Sequence, residues 1–200
     1  MPRPARYHHG DLRDTLLREA AILLREHGVQ GLSLRRLAER AGVSRTAPYH
    51  HFTDKNALLC ALAEQGFLRL DRLIDGMSLD PADPEPGLRQ FVRDYLRFAA
   101  EDPERYELMF GRTLWKAGRP DPALTRVAHD CFRRYVEAVR PERLGSLGQG
   151  ADPLRVAQAS WATLHGLCRL LLDGIYLRRE DMEAVSDQAV TLMLAGLRRD

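Results

Sequence analysis

Apolar residues recur along this chain at spacings of three and four almost throughout, which is the signature of amphipathic helices. From Asp11 the stretch DLRDTLLREAAILLREHG places Leu12, Leu16, Ala20, Leu23, Leu24 and His27 on one stripe, with Gly28 as a stop. SLRRLAERAG then offers Ser33 as N-cap, Leu34, Leu37, Ala38 and Ala41 as a buried face and Gly42 as a left-handed C-cap. Val43 bridges to Ser44, a further N-cap candidate, so a third short helix is expected to run from there to about Phe52. Asp54 caps a longer helix over about 54–78, whose buried side carries Leu58, Leu62, Phe67, Leu70 and Ile74.

The proline-dense stretch SLDPADPEPG reads as a linker. Five more helices are expected at about 86–101, 103–117, 122–140, 153–173 and 181–198. Pro103, Pro122 and Pro153 each follow an Asp, which pairs an N-cap with a proline in the first helical position. Gly118, Gly174 and the LGSLGQG loop supply the breaks. No period-2 strand pattern and no repeat is visible. The expected fold is all-α with about nine helices, and two short helices around a Gly-containing turn, packed on a longer first helix, match a helix-turn-helix.

Composition changes this picture in one respect. With 44% hydrophobic and 29% charged residues the chain is of ordinary globular type. Its longest uncharged run, Val156–Cys168, is well short of the ~20 apolar residues of a membrane span. The start MPRPARYHHGD shows no apolar core of a secretory signal, so a cytoplasmic protein with no membrane partner is expected. The net charge of +2 conceals an asymmetry: residues 1–53 carry nine arginines against five acidic residues, and the remainder is slightly acidic. The N-terminal quarter is therefore the part suited to a polyanion. Cys60, Cys131 and Cys168 lie far apart and lack ligand spacing, so they read as reduced, buried, small hydrophobes.

The segment SRTAPYHHFT, residues 44–53, concentrates the candidate chemistry. Adjacent histidines on a helix point about 100° apart, so His50 and His51, like His8 and His9, converge poorly on one ion. No cysteine or carboxylate stands at a matching offset, and no metal or other cofactor is expected. Nor is there a nucleophilic triad, a GxSxG elbow or a glycine-rich phosphate loop, so the chain does not read as an enzyme. DNA binding accounts for more of these residues. Arg45 is placed to pair with a guanine edge, and Thr46 or Ala47 to touch a base edge or a thymine methyl group. Tyr49, His50, His51 and Lys55 are placed for phosphates, and the helix N-termini at Ser33 and Asp54 for backbone-amide clamps. Phe52 is expected in the core, locking the third helix to the first.

The stretch LSLRRLAERAGVSRTAPYHHFTDKNALL resembles the DNA-binding segment of the TetR family of transcriptional regulators. In that family a Gly-Val turn is followed by Tyr-x-x-Phe-x-x-Lys-x-x-Leu; here these positions are Gly42, Val43, Tyr49, Phe52, Lys55 and Leu58. The resemblance covers about residues 10–60. It departs at Thr46 and Pro48, where many members carry Gly and then a bulky apolar residue. Proline lacks the amide proton for a helical bond, so the recognition helix is expected to begin late or to be tightly wound.

The resemblance implies a helix-turn-helix module over 1–53, a connecting helix over 54–78 and a ligand-binding and dimerisation domain over 79–200 that pairs two subunits through its last two helices. It implies a repressor that binds a palindromic operator in double-stranded DNA as a homodimer and is released by a small-molecule effector. WATLHG, residues 161–166, resembles the Trp…His-Gly element of one C-terminal subclass, in which Gly166 would admit a second helix. Tyr95, Met109, Phe110, Trp161 and His165 are candidate ligand contacts, although aromatic and thioether side chains at helical spacing are more often simple core; His165 reads at least as well as a hydrogen-bonded histidine of a packed helix. Two rival readings remain: a helical metal-dependent sensor or enzyme using the histidine pairs, and a helical protein-binding adaptor.

Overall fold

The computed structural model describes residues 9–148 and 150–197. His8 lies outside them, and so does the side chain of His9. Among the described residues the regular structure is helical, and the one strand-like feature is an isolated bridge between Asp80 and Asp83. The helices are α1 (His9–Gly31), α2 (Leu34–Ala41), α3 (Lys55–Asp75), α4 (Glu85–Glu101), α5 (Pro103–Phe110), α6 (Arg112–Trp115), α7 (Pro122–Ala138), α8 (Pro153–Asp173) and α9 (Met182–Leu197). Single 3-10 turns stand at Ala47–His50, Pro141–Arg143, Gly145–Gly148 and Arg179–Asp181. No helix among the described residues is long and apolar enough to cross a membrane.

The starts follow their chemistry. Pro103, Pro122 and Pro153 each open a helix; the Asp121 carboxylate accepts from the Leu124 amide at 2.7 Å, and that of Asp152 from the Leu154 amide at 2.9 Å. α8 ends on Gly174 in the left-handed region, whose amide donates to the Leu170 carbonyl. One expected helix, 103–117, is two. Gly111 interrupts it with an extended backbone (φ −82°, ψ −178°), and the chain resumes as the short α6.

The chain divides into two compact units, one reaching to Gly66 and including Glu104–Arg126, the other comprising Phe67–Pro103 and the chain from Val127 onward. α3 and α7 contribute to both. In the first unit, Leu16, Leu17, Leu23, Leu24, Leu37, Phe52, Leu58 and Leu62 form the buried centre. Asn56 reaches from α3 to the Arg119 carbonyl at 2.7 Å. Cys60 is buried there, and its thiol is pushed up by desolvation. His27, expected on the buried stripe, is exposed, because that stripe ends where Gly28 leaves the helix (φ 61°, ψ −174°). Its Nε2 lies 3.0 Å from the Arg36 guanidinium, which can only donate.

In the second unit α4 packs against α8 and α9. Its aromatic centre is built on Trp161, which meets Tyr135 at 4.9 Å, Phe132 at 5.5 Å and Tyr95 at 5.7 Å between ring centroids, each edge to face. Arg89 of α4 donates to the Asp187 carbonyl and to Thr191 of α9, while Arg93 pairs with the Asp187 carboxylate at 3.2 Å.

Candidate nucleic-acid interface

The helix-turn-helix is assembled by local signals that agree with one another. Ser33 is extended, and its hydroxyl accepts from the Arg36 amide at 3.2 Å, capping α2. At the far end Gly42 takes φ 65°, ψ 30°, so the Gly42 and Val43 amides return to the Glu39 and Ala38 carbonyls. Leu34, Leu37 and Ala38 are buried as expected, while Ala41 is only half-buried at the turn. Arg40 on the outer side of α2 holds Glu19 and Glu26 of α1, each at 2.8 Å, and these carboxylates raise its pKa further. The two helices are thus joined by an apolar face and by ion pairs along its rim.

The element that follows is a 3-10 turn, not the short α-helix expected from Ser44. Thr46 is its N-cap, with no side-chain bond to the turn, and the Ser44 hydroxyl instead lies 3.1 Å from that of Thr46. Ala47, Tyr49 and His51 donate to the carbonyls three residues back, of Ser44, Thr46 and Pro48. The physical reason is Pro48, which has no proton for the bond an α-helix requires there. Its ring is buried and anchors the turn from inside. Phe52 is 2% exposed, with the Arg13 guanidinium of α1 5.8 Å from its ring centroid, so the turn is clamped to α1 as expected. Asp54 then accepts from the Ala57 amide at 2.8 Å and starts α3.

With Pro48 and Phe52 turned inward, Ser33, Ser44, Arg45, Thr46, Tyr49 and His50 are exposed. Ala47, His51 and Lys55 are half-buried, and the His51 ring rests 6.4 Å from that of Phe52. All nine expected DNA-binding residues therefore stand on one short run of backbone, from the N-terminus of α2 to that of α3. Among the described residues no three His, Cys, Asp or Glu side chains group as metal ligands would.

The expected ligand contacts are placed less uniformly. Tyr95, Trp161 and His165 belong to the second unit, Met109 and Phe110 to the first. Tyr95 and Met109 are fully buried, and the Trp115 indole donates to the Met109 carbonyl at 2.6 Å. Two apolar spaces in the second unit are lined by other residues. An open groove of about 860 Å³ runs between α8 and α9, along Val156, Ala159, Thr163, Gln188, Leu192 and Met193 among others. Behind it lies a small cavity of about 40 Å³, reaching Phe91, Tyr135 and Val190. Sequence periodicity marks which side chains are apolar; only the packing shows which residues are left against space.

Comparison with known proteins agrees with this architecture. Residues 16–62 match the family model described as bacterial regulatory proteins, tetR family, and residues 88–196 that of the tetracyclin repressor-like C-terminal domain. The HTH-type transcriptional repressor AcnR of Corynebacterium glutamicum is 33% identical over 171 residues, spanning 83% of this chain and 80% of that protein. The class A tetracycline repressor protein of Escherichia coli is 57% identical over 51 residues, 26% of this chain and 24% of its own. A solved protein of unknown function from Rhodococcus sp. RHA1 superposes with a TM-score of 0.81 at 34% identity, covering 98% of this chain and all of that one. The N-terminal helix-turn-helix is thus a DNA-binding module joined to a regulator's C-terminal domain, and the chain belongs to the TetR family of bacterial transcriptional regulators.

Proposed function

We propose that this chain is a ligand-responsive transcriptional repressor that binds a palindromic operator in double-stranded DNA as a homodimer. The observation that carries this reading is the exposed polar edge Ser44, Arg45, Thr46, Tyr49 and His50, raised on a turn that Pro48 and Phe52 fix from beneath. Arg45 reads a guanine edge and Thr46 and Ala47 a neighbouring base edge or methyl group. Tyr49, His50, His51 and Lys55 hold phosphates, and the first-turn amides of α2 and α3, behind Ser33 and Asp54, add two clamps. Residues 1–53 act as the DNA-binding module, 54–78 as the connection and 79–200 as the ligand-binding and dimerisation part of a cytoplasmic protein.

Pairing uses α8 and α9. A Cβ added at Gly166 or Gly196 would meet nothing within 4 Å, so the single chain gives no packing reason for glycine in either helix, where it costs about 1 kcal/mol. Leu192 on the same face is 64% exposed. A second copy laying its own α8 and α9 along the groove covers that face, and pairing sets two recognition turns about 34 Å apart, one DNA turn. The effector is a small molecule bound in the C-terminal domain, with Trp161 and His165 of α8 among the side chains available to it. It acts by favouring a conformer with the wrong separation, to the extent that it binds that conformer better.

The test is binding to operators selected from random duplexes, measured by fluorescence anisotropy against salt. The logarithm of the binding constant is expected to fall linearly with the logarithm of salt concentration. Arg45→Ala is expected to cost about 1–3 kcal/mol on the preferred sequence and to flatten preference at one position, while Lys55→Ala weakens all sequences alike and lowers the salt slope by about one. Equal losses on every sequence from both changes would show the two roles to be wrongly assigned.

A further inference from the structure

The small cavity behind the α8–α9 groove has a polar end. Its lining is apolar except for Tyr135 of α7 and Ser160 of α8. The Tyr135 hydroxyl donates to Ser160 Oγ at 2.8 Å, and Ser160 donates onward to the Val156 carbonyl at 2.7 Å. Each hydroxyl has one proton, so this order spends both and leaves the phenol oxygen as the acceptor end of the chain, in a residue only 2% exposed. Burial pushes that phenol up to about 12, so it keeps its proton and the order holds. The Phe91 ring stacks on Tyr135 at 5.9 Å and 24° and presents a flat apolar wall beside it.

The partition between cavity and groove is one side chain thick. Val156, Ser160, Met193 and Leu197 line both spaces, and all four are half-buried. Met193 is unbranched and readily changes rotamer. At about 40 Å³ the cavity offers little more than the volume of one water, so any guest has to displace this partition toward the groove. Side chains displaced there occupy the space that a second copy's helices would fill.

We propose that this seam is a ligand site: a small, flat, apolar molecule with one hydrogen-bond donor, of the phenol class, opens the Met193–Leu197 partition, lies against Phe91 and donates to the Tyr135 oxygen, in competition with pairing through α8 and α9. The inference rests on the reading of that face as the pairing surface. By linkage, a ligand that weakens pairing is itself bound more weakly by the pair than by the single chain.

The experiment uses the full chain, with phenol as probe and toluene as its donorless counterpart. Binding is followed by calorimetry and the dimer dissociation constant by sedimentation. Phenol is expected to bind saturably and about tenfold more tightly than toluene, the worth of one buried hydrogen bond. At saturation it raises the dimer dissociation constant at least about fivefold. Tyr135→Phe removes the preference for phenol while retaining the ring, and Met193→Ala, which thins the partition, tightens both probes; circular dichroism checks that each variant is folded. The proposal is overturned by absence of saturable binding in both the unaltered chain and Met193→Ala, by a preference that survives Tyr135→Phe, or by a dimer constant indifferent to saturating phenol. A chain that sediments as a monomer before any probe is added refutes the pairing reading instead, so the two failures are told apart.

Discussion

The turn that follows α2 and the face made by α8 and α9 both leave much of their surface uncovered, but with opposite chemistry. Around the turn, the apolar side chains that matter, Pro48 and Phe52, are inside, and what faces water is hydroxyl, guanidinium, phenol and imidazole. Along α8 and α9 the exposed positions include Leu154, Leu170 and Leu192, with Ile175 and Tyr176 72% and 84% exposed in the loop between the helices. A polar edge over a closed core is complete in one chain and awaits a charged partner. An apolar face of this extent is satisfied only when a comparable surface covers it. The contrast predicts that damage to the first region shows in stability and DNA binding together, whereas damage to the second shows in assembly while the single chain stays folded.

The largest effect is expected at Phe52. Replacing this buried ring with alanine removes the clamp between the turn and α1 and should cost about 3–5 kcal/mol. The measurement is urea unfolding followed by circular dichroism, with operator binding in parallel. Loss of binding with unchanged stability would break the comparison, because the edge would then not depend on the core beneath it.

Next in size is Gly166→Leu. Within one chain the new side chain enters open space and replaces a poor helix former, so the chain itself should gain about 0.5–1 kcal/mol. Across a pair of closely packed helices the same side chain obstructs the approach, and the dimer dissociation constant should rise by at least about tenfold, as overpacking costing about 1–3 kcal/mol implies. Sedimentation and thermal unfolding together separate the two effects. A more stable chain that still pairs would place the pairing surface elsewhere.

This division also governs how far the chain can be read before folding. The helix-turn-helix was legible because its determinants are local: Ser33 caps the helix beginning one residue later, and Gly42 accepts a dihedral angle that other residues resist. Pro48 announced a distorted recognition helix through its missing amide, yet the completed 3-10 turn depends on its ring being buried, which is a tertiary fact. His27 continues the apolar periodicity yet stands exposed, because it is the last residue before the chain leaves the helix at Gly28. The split at Gly111 has no proline or second glycine beside it to mark a stop in the sequence. The ligand contacts were the least legible: Tyr95 and Met109 have the right chemistry for a pocket, and both are spent in core packing. Side-chain type shows what a residue can touch, while the space left between helices depends on every neighbour at once.

The smallest expected effect concerns the interior of the second unit, where the C-terminal part is as closed as its α8–α9 face is open. Cys131 is 1% exposed, and burial, with the nearby Asp71 carboxylate, pushes its thiol from an ordinary 9.0 up to about 12. A thiol whose pKa is raised by folding holds its proton more tightly in the native state. Its contribution is therefore fully present below pH 9 and is lost as pH rises from 9 toward 12, because unfolding releases the proton. The expected slope from this group is at most about 1.4 kcal/mol per pH unit in that window, and none below it. Cys131→Ala lowers overall stability through the small cavity it leaves, but it should also flatten the alkaline limb, because the titrating group is gone. The residual slope includes that of Cys60, whose thiol burial also pushes up from 9.0, and that of Tyr135, pushed up from 10.0 to about 12. If the limb between pH 9 and 10 is equally steep with and without Cys131, the thiol is hydrated in the folded chain, and the contrast between a sealed interior and an open α8–α9 face fails at that point.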